Sequence, residues 1–139
     1  MTIDTDAKHH IAELLAKAAY ALDTKNLQML EAGFAKDANF TLTIEGVAEV
    51  SKFEGRAAIM GLMKGALDVQ TDERRHAISN VFYEQFGKDR ATVVSYLTLT
   101  ATEGGEINLI TTGIYTDQVV LEDGAWVVKD RSLKLDRPY

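Results

Sequence analysis

The sequence predicts an α+β fold in which helices at the N-terminus pack into a curved, mainly antiparallel sheet, closing a cone-shaped barrel. Three observations predict it. Apolar residues recur at helical spacing in the first half of the chain, the second half is four long stretches rich in Val, Ile, Thr, Tyr and Phe, and the joints between those stretches are short, polar and glycine-bearing. A length of 139 residues with 46% hydrophobic side chains suits one domain over 1–139, long enough to bury a core of its own.

From Asp6 to Leu22 the residues Ile11, Leu14, Leu15, Ala18, Ala19 and Leu22 recur at offsets of three and four, which lines them along one stripe of a helix. Thr5 or Asp6 caps its first turn, and the polar run Asp23-Thr24-Lys25-Asn26 ends it before a second, short helix over Leu27 to Phe34. Asn39 to Ile44 reads as a strand stopped by Glu45-Gly46, and Val47 to Phe53 as a short extended return. A third helix is predicted from Arg56 to Leu67, where Ile59, Leu62, Met63, Ala66 and Leu67 keep the helical period although Gly61 and Gly65 weaken it.

After Thr71 come β segments at about 74–86, 90–102, 106–121 and 126–135. The joints Gly87-Lys88-Asp89, Glu103-Gly104-Gly105 and Glu122-Asp123-Gly124 suit successive antiparallel hairpins. Segment 106–121 carries apolar residues on both parities, Ile107, Leu109, Tyr115, Val119 and Leu121 against Ile110, Ile114 and Val120, so both sheet faces are expected to be partly covered. Curling the sheet around the amphipathic helices meets that demand and leaves a hollow suited to a small molecule.

Composition excludes several functions. Twenty-one acidic residues against fifteen basic ones give a net charge of -6, the wrong sign for a nucleic-acid surface. Without cysteine there is no disulfide, thiolate nucleophile or sulfur-ligated metal. The opening Met1-Thr2-Ile3-Asp4 lacks a basic, hydrophobic leader and no apolar run is long enough for a membrane, so a soluble cytoplasmic protein is expected.

Few residues are candidates for chemistry. His9 and His10 are adjacent on the first helix, have no partner at metal-ligand spacing and read as solvated, so no metal is assigned. His76 opens a strand and shares parity with Ile78, Asn80 and Phe82, so it turns inward if they do; alone it reads equally as a hydrogen-bonded core histidine. Asp23 lies at the edge of the first helix's apolar stripe, where turn capping and function are both open. Together they would make a dyad, the carboxylate fixing one imidazole nitrogen and freeing the other to take a proton. Arg131 shares parity with Val127 and Leu133, and inward it would hold an anion, outward a surface carboxylate. Tyr20, Tyr96 and Tyr115 offer phenolic donors to a cavity, or simply fill the core.

The ordered set Ile11-Ala12-Glu13-Leu14-Leu15, Tyr20-Ala21-Leu22-Asp23, Phe34-Ala35-Lys36-Asp37-Ala38, Phe53-Glu54-Gly55-Arg56, Arg75-His76-Ala77-Ile78-Ser79-Asn80, Gly113-Ile114-Tyr115-Thr116-Asp117, Gly124-Ala125-Trp126 and Arg131 resembles the SnoaL-like branch of the nuclear-transport-factor-two-like superfamily. Within it the pattern is most similar to scytalone dehydratase and hexachlorocyclohexane dehydrochlorinase, and Asp23 and His76 fall on the positions of their catalytic pair. Arg131 falls on a functional arginine of the dehydrochlorinase. That enzyme's second cationic group is replaced here by Ala18, and the dehydratase's tyrosine before the aspartate by Leu22.

The resemblance implies a cofactor-independent lyase or isomerase, a dehydratase first, acting on a small hydrophobic cyclic substrate. His76 would be the base, Asp23 would orient it and Arg131 would stabilise developing negative charge, with Tyr20, Asn80, Tyr96 and Tyr115 contacting the substrate. A homodimer is expected from the superfamily. The rival readings are a non-catalytic small-molecule-binding or dimerisation module and a polyketide-type cyclase.

Overall fold

The computed structural model describes residues 4–139; Met1, Thr2 and Ile3 of the opening segment lie outside them. Helix α1 runs Thr5–Asp23, and its cap is Asp4 rather than Thr5 or Asp6: the Asp4 carboxylate accepts from the Ala7 amide at 3.1 Å. Its stripe of Ala7, Ile11, Leu15, Ala18 and Ala21 is buried. Helix α2 is only Leu27–Ala32, capped by Asn26. It stops short of the expected Phe34 because that residue opens strand β1, Phe34–Ile44, and pairs with Val128. Strand β2 is Ser51–Glu54, shorter than the expected return, and helix α3 is Arg56–Val69.

The four long segments form β3 Glu73–Phe86, β4 Arg90–Glu103, β5 Glu106–Glu122 and β6 Ala125–Leu135. One six-stranded sheet has the order β2-β1-β6-β5-β4-β3. The expected hairpins β3–β4, β4–β5 and β5–β6 are antiparallel, while β1 and β6 pair in parallel, a long-range contact with no local sequence signal. Helices α1 and α3 close the inner face of this curled sheet, giving an α+β cone of the expected kind. Ile11, Leu15, Leu30 and Ile59 are essentially inaccessible, each such burial contributing about 1.5–3 kcal/mol.

Bulges reset which residues face the cone. Ser79 opposes Tyr96 and Phe82 opposes Val94, so β3 carries an extra residue around Asn80, whose φ is +55°. Past it the parity reverses, so Tyr83 packs inward and Phe82 is exposed, although simple alternation put Phe82 on the face of His76; a second bulge between Tyr83 and Gln85 reverses it again and turns Phe86 inward. A bulge at Ile110 likewise turns that residue to the core and leaves Ile107 and Leu109 outside. Another on β6 puts Arg131, Leu133 and Leu135 inward with Val128 and Trp126, not Val127. Cover on the outer face is partial: Val94 and Thr92 are buried there, while Tyr96 and Ile114, register partners on the same face, are open.

Candidate active site

The site is built where the end of α1 meets the start of β3. Asp23 is the last residue of α1, and both its oxygens receive the backbone N–H of His76, at 3.0 and 3.2 Å. The same carboxylate lies 2.6 Å from His76 Nδ1. A carboxylate only accepts, so Nδ1 carries the proton and Nε2 keeps its lone pair. Both side chains are largely buried, with 16% of His76 and 9% of Asp23 exposed, which shields the pair from competing water. Asp23 lies behind the imidazole and His76 forms part of the wall of a cavity of about 110 Å³.

That cavity is mostly hydrocarbon. Leu22 comes from α1, Leu62, Met63, Ala66 and Leu67 from α3, Phe40 and Leu42 from β1, and the sheet adds Leu97, Leu99, Leu133 and Leu135. Its polar residues are Gln70, Arg74, His76, Tyr115, Arg131 and Tyr139. Tyr139 is 55% exposed, so the hollow reaches the surface there. An apolar chamber with few polar groups selects a largely apolar guest and orients it by those groups.

Arg131 faces inward, yet it is not waiting for an anion. Its Nε and Nη2 donate to the two oxygens of Asp117 at 2.8 and 3.2 Å, and both residues are buried. Asp117 stands in the run Gly113-Ile114-Tyr115-Thr116-Asp117, where nothing local marks it as a site residue. The available signal was an acidic residue on the inward parity of Tyr115 and Val119; finding its partner requires the β5–β6 register, which sets Asp117 opposite Arg131. The guanidinium also stacks on Tyr115, 4.1 Å from the ring centre. Burial raises the Tyr115 pKa; nearby Arg131 opposes this, while Asp117 and Asp23 add to it, so the phenol stays protonated.

Of the expected substrate contacts, only Tyr115 reaches the cavity. Tyr20 is 60% exposed on the outer side of α1, and Tyr96 is 47% exposed on the outer sheet face. Asn80 sits exposed in the β3 bulge, away from the chamber. Alternation alone cannot place these three, because one added residue or one turn of helix reverses the direction of a side chain. His9 and His10 are exposed, and among the described residues no three His, Asp or Glu converge as a metal-ligand cluster.

A SnoaL-like domain model matches residues 4–132. The chain belongs to the SnoaL-like domain family. Solved structures share the fold of this SnoaL-like chain over nearly its whole length. A protein of unknown function with a cystatin-like fold from Nostoc punctiforme is 26% identical with a TM-score of 0.81, over 98% of this chain and 96% of that one. A candidate scytalone dehydratase from Novosphingobium aromaticivorans is 23% identical with a TM-score of 0.77, over 93% and 83%. The beta subunit of a candidate aromatic-ring-hydroxylating dioxygenase from the same organism is 17% identical with a TM-score of 0.82, over 96% and 91%. Among curated proteins none matches the chain. No helix among the described residues is long and apolar enough to cross a membrane.

Proposed function

We propose that this SnoaL-like domain is a cofactor-independent lyase or isomerase, first a dehydratase, acting on a small hydrophobic cyclic molecule held in the cone. One observation carries the reading: the 2.6 Å contact between Asp23 and His76 Nδ1, with His76 on the cavity wall. It leaves Nε2 as the group able to take a proton from a guest, and a positioned base of this kind contributes about a hundred- to ten-thousandfold in rate.

In the proposed elimination, Nε2 removes a proton from the carbon beside a carbonyl and the C–H electron pair becomes a new C=C bond of the enolate. The enolate then collapses, the β C–O bond breaks, and the departing hydroxyl takes the proton back from Nε2 as water. Asp23 holds the ring and offsets the charge of the transient imidazolium. Arg131 acts through its pair with Asp117 beneath Tyr115 rather than as an open anion site.

The likeness to a candidate scytalone dehydratase supports the same class. The test is conversion of 3-hydroxycyclohexanone to cyclohex-2-enone, read from the enone absorbance. Turnover by the wild type that His76→Gln abolishes supports the reading; ligand binding without turnover assigns the cone to a non-catalytic binding module. Turnover that survives His76→Gln points to an acid–base aspartate, as in a polyketide-type cyclase.

We also propose that two copies associate through the outer sheet face, where Phe82, Tyr96 and Ile114 are 52%, 47% and 40% exposed. Localisation in the cytoplasm belongs to the same proposal.

A further inference from the structure

The charges around the cavity cancel in a particular way. Arg131 spends two of its donors on Asp117. Arg74, the other guanidinium on the wall, is held by Asp72 at 2.9 Å. Lysine is absent from the lining, and the Asp23 carboxylate stands behind His76 with no arginine or lysine paired to it. An entering anion would therefore meet no free cation and one negative group, and would lose its hydration in a hydrocarbon chamber.

An uncharged oxygen meets something different. Among the described residues the one buried side-chain polar atom without a partner is Ser95 Oγ. The Tyr115 hydroxyl makes no hydrogen bond among the described residues and, unlike Ser95 Oγ, is not sealed from solvent, so it opens onto the hollow that Tyr115 lines. Its ring is fixed from one side by the Arg131 stack and sits on β5 opposite Ser95, with the strand partners leaving little room to rotate. A fixed neutral donor in an apolar chamber suits a carbonyl or hydroxyl oxygen.

We propose that Tyr115 is the donor that takes the oxygen of an uncharged carbonyl guest, and that the closed Arg131–Asp117 pair makes the cavity select neutral over anionic ligands. The inference deepens the site proposed above and rests on the same cavity; Tyr115 would be the substrate contact, and Asp117 a positioning residue that keeps Arg131 occupied. In the elimination, the enolate oxygen would collect its hydrogen bond from this phenol.

The test is binding, measured by NMR titration with two probes of similar shape, cyclohex-2-enone and cyclohex-1-ene-1-carboxylate. The wild type is expected to bind the enone at least about tenfold more tightly than the carboxylate, and Tyr115→Phe to weaken the enone roughly three- to tenfold. The bound enone's carbonyl ¹³C resonance should shift downfield in the wild type and not in Tyr115→Phe. Asp117→Asn, which frees the guanidinium, is expected to raise carboxylate affinity above that of the wild type.

Equal or tighter carboxylate binding by the wild type overturns the proposal, as does an enone affinity and ¹³C shift unaltered in Tyr115→Phe, or no binding of either probe. A folded Asp117→Asn that gains no carboxylate affinity overturns the part assigned to the pair; should that variant not fold, the Tyr115→Phe comparison still decides. His76→Gln is expected to keep the enone preference. Loss of turnover with the preference intact, or the reverse, thus separates failure of the base from failure of this inference.

Discussion

Asp117 and Arg131 face each other across β5 and β6 as a two-pronged ion pair, Nε to Oδ1 at 2.8 Å and Nη2 to Oδ2 at 3.2 Å, with 0% and 6% of the two residues exposed. The pair is sealed inside the cone and carries the Tyr115 ring on the guanidinium plane. The strong coupling keeps Arg131 charged: the Asp117 carboxylate overrides the burial that would otherwise lower its pKa.

Opening that pair should be costly. Asp117→Ala leaves a buried guanidinium without its counter-charge and is expected to destabilise the domain by about 3–5 kcal/mol, whereas Asp117→Leu with Arg131→Met together should cost far less. Urea unfolding of the three proteins checks this. A loss below about 1 kcal/mol for Asp117→Ala would mean that water reaches the pair.

Tyr115 should ionise late. Its folded-state pKa lies above the ordinary value of 10.0, chiefly through burial, so its contribution is fully present below pH 10.0 and is lost as pH rises through the folded value, because the unfolded chain then releases the proton first. Tyr83 is shifted upward by burial as well. Tyrosinate absorbance should therefore include a late stage above pH 10.0, from Tyr115 and the half-buried Tyr83. Tyr115→Phe should remove part of the late stage; a late stage of unchanged size would place Tyr115 in contact with bulk water.

Gly113 is required by contact rather than by backbone angle. It lies in β5 opposite Leu135, and an added Cβ would stand 2.6 Å from the Lys134 carbonyl oxygen and 3.1 Å from a Leu135 methyl. Gly113→Ala must push β6 away or bend β5, which is expected to cost about 1–3 kcal/mol and to disturb the wall formed by Leu133 and Leu135. Denaturant midpoint is the readout, and an unchanged midpoint would show that β6 yields freely.

Much of this architecture could be read from local sequence. Ile11, Leu15 and Ala18 mark α1 through their spacing, and the glycine-bearing joints mark three hairpins, because both signals act within a few residues. The approach of Asp23 to His76, 53 residues apart, followed from the family resemblance and not from periodicity. What local patterns could not carry were the bulges at Asn80 and Ile110, the parallel β1–β6 pairing, and Asp117 as the partner of Arg131. Each depends on long-range register, where a single added residue exchanges inside for outside.

The outer sheet face should govern association. Tyr96 and Ile114 lie directly opposite on β4 and β5 and are exposed, so burying them against a second copy removes apolar surface from water. The solution mass is expected to be twice the 15.3 kDa of one chain, and Tyr96→Glu to halve it. A wild-type mass of 15.3 kDa would refute the dimer.

The role of His76 as a base is tested most directly by deuterium uptake at the α carbon of cyclohexanone in heavy water, followed by NMR. Uptake well above the buffer rate in the wild type, lowered about a hundredfold or more in Asp23→Asn and returned to the buffer rate in His76→Gln, is the predicted result. Uptake at the buffer rate in the wild type, or unchanged uptake in His76→Gln, would contradict it.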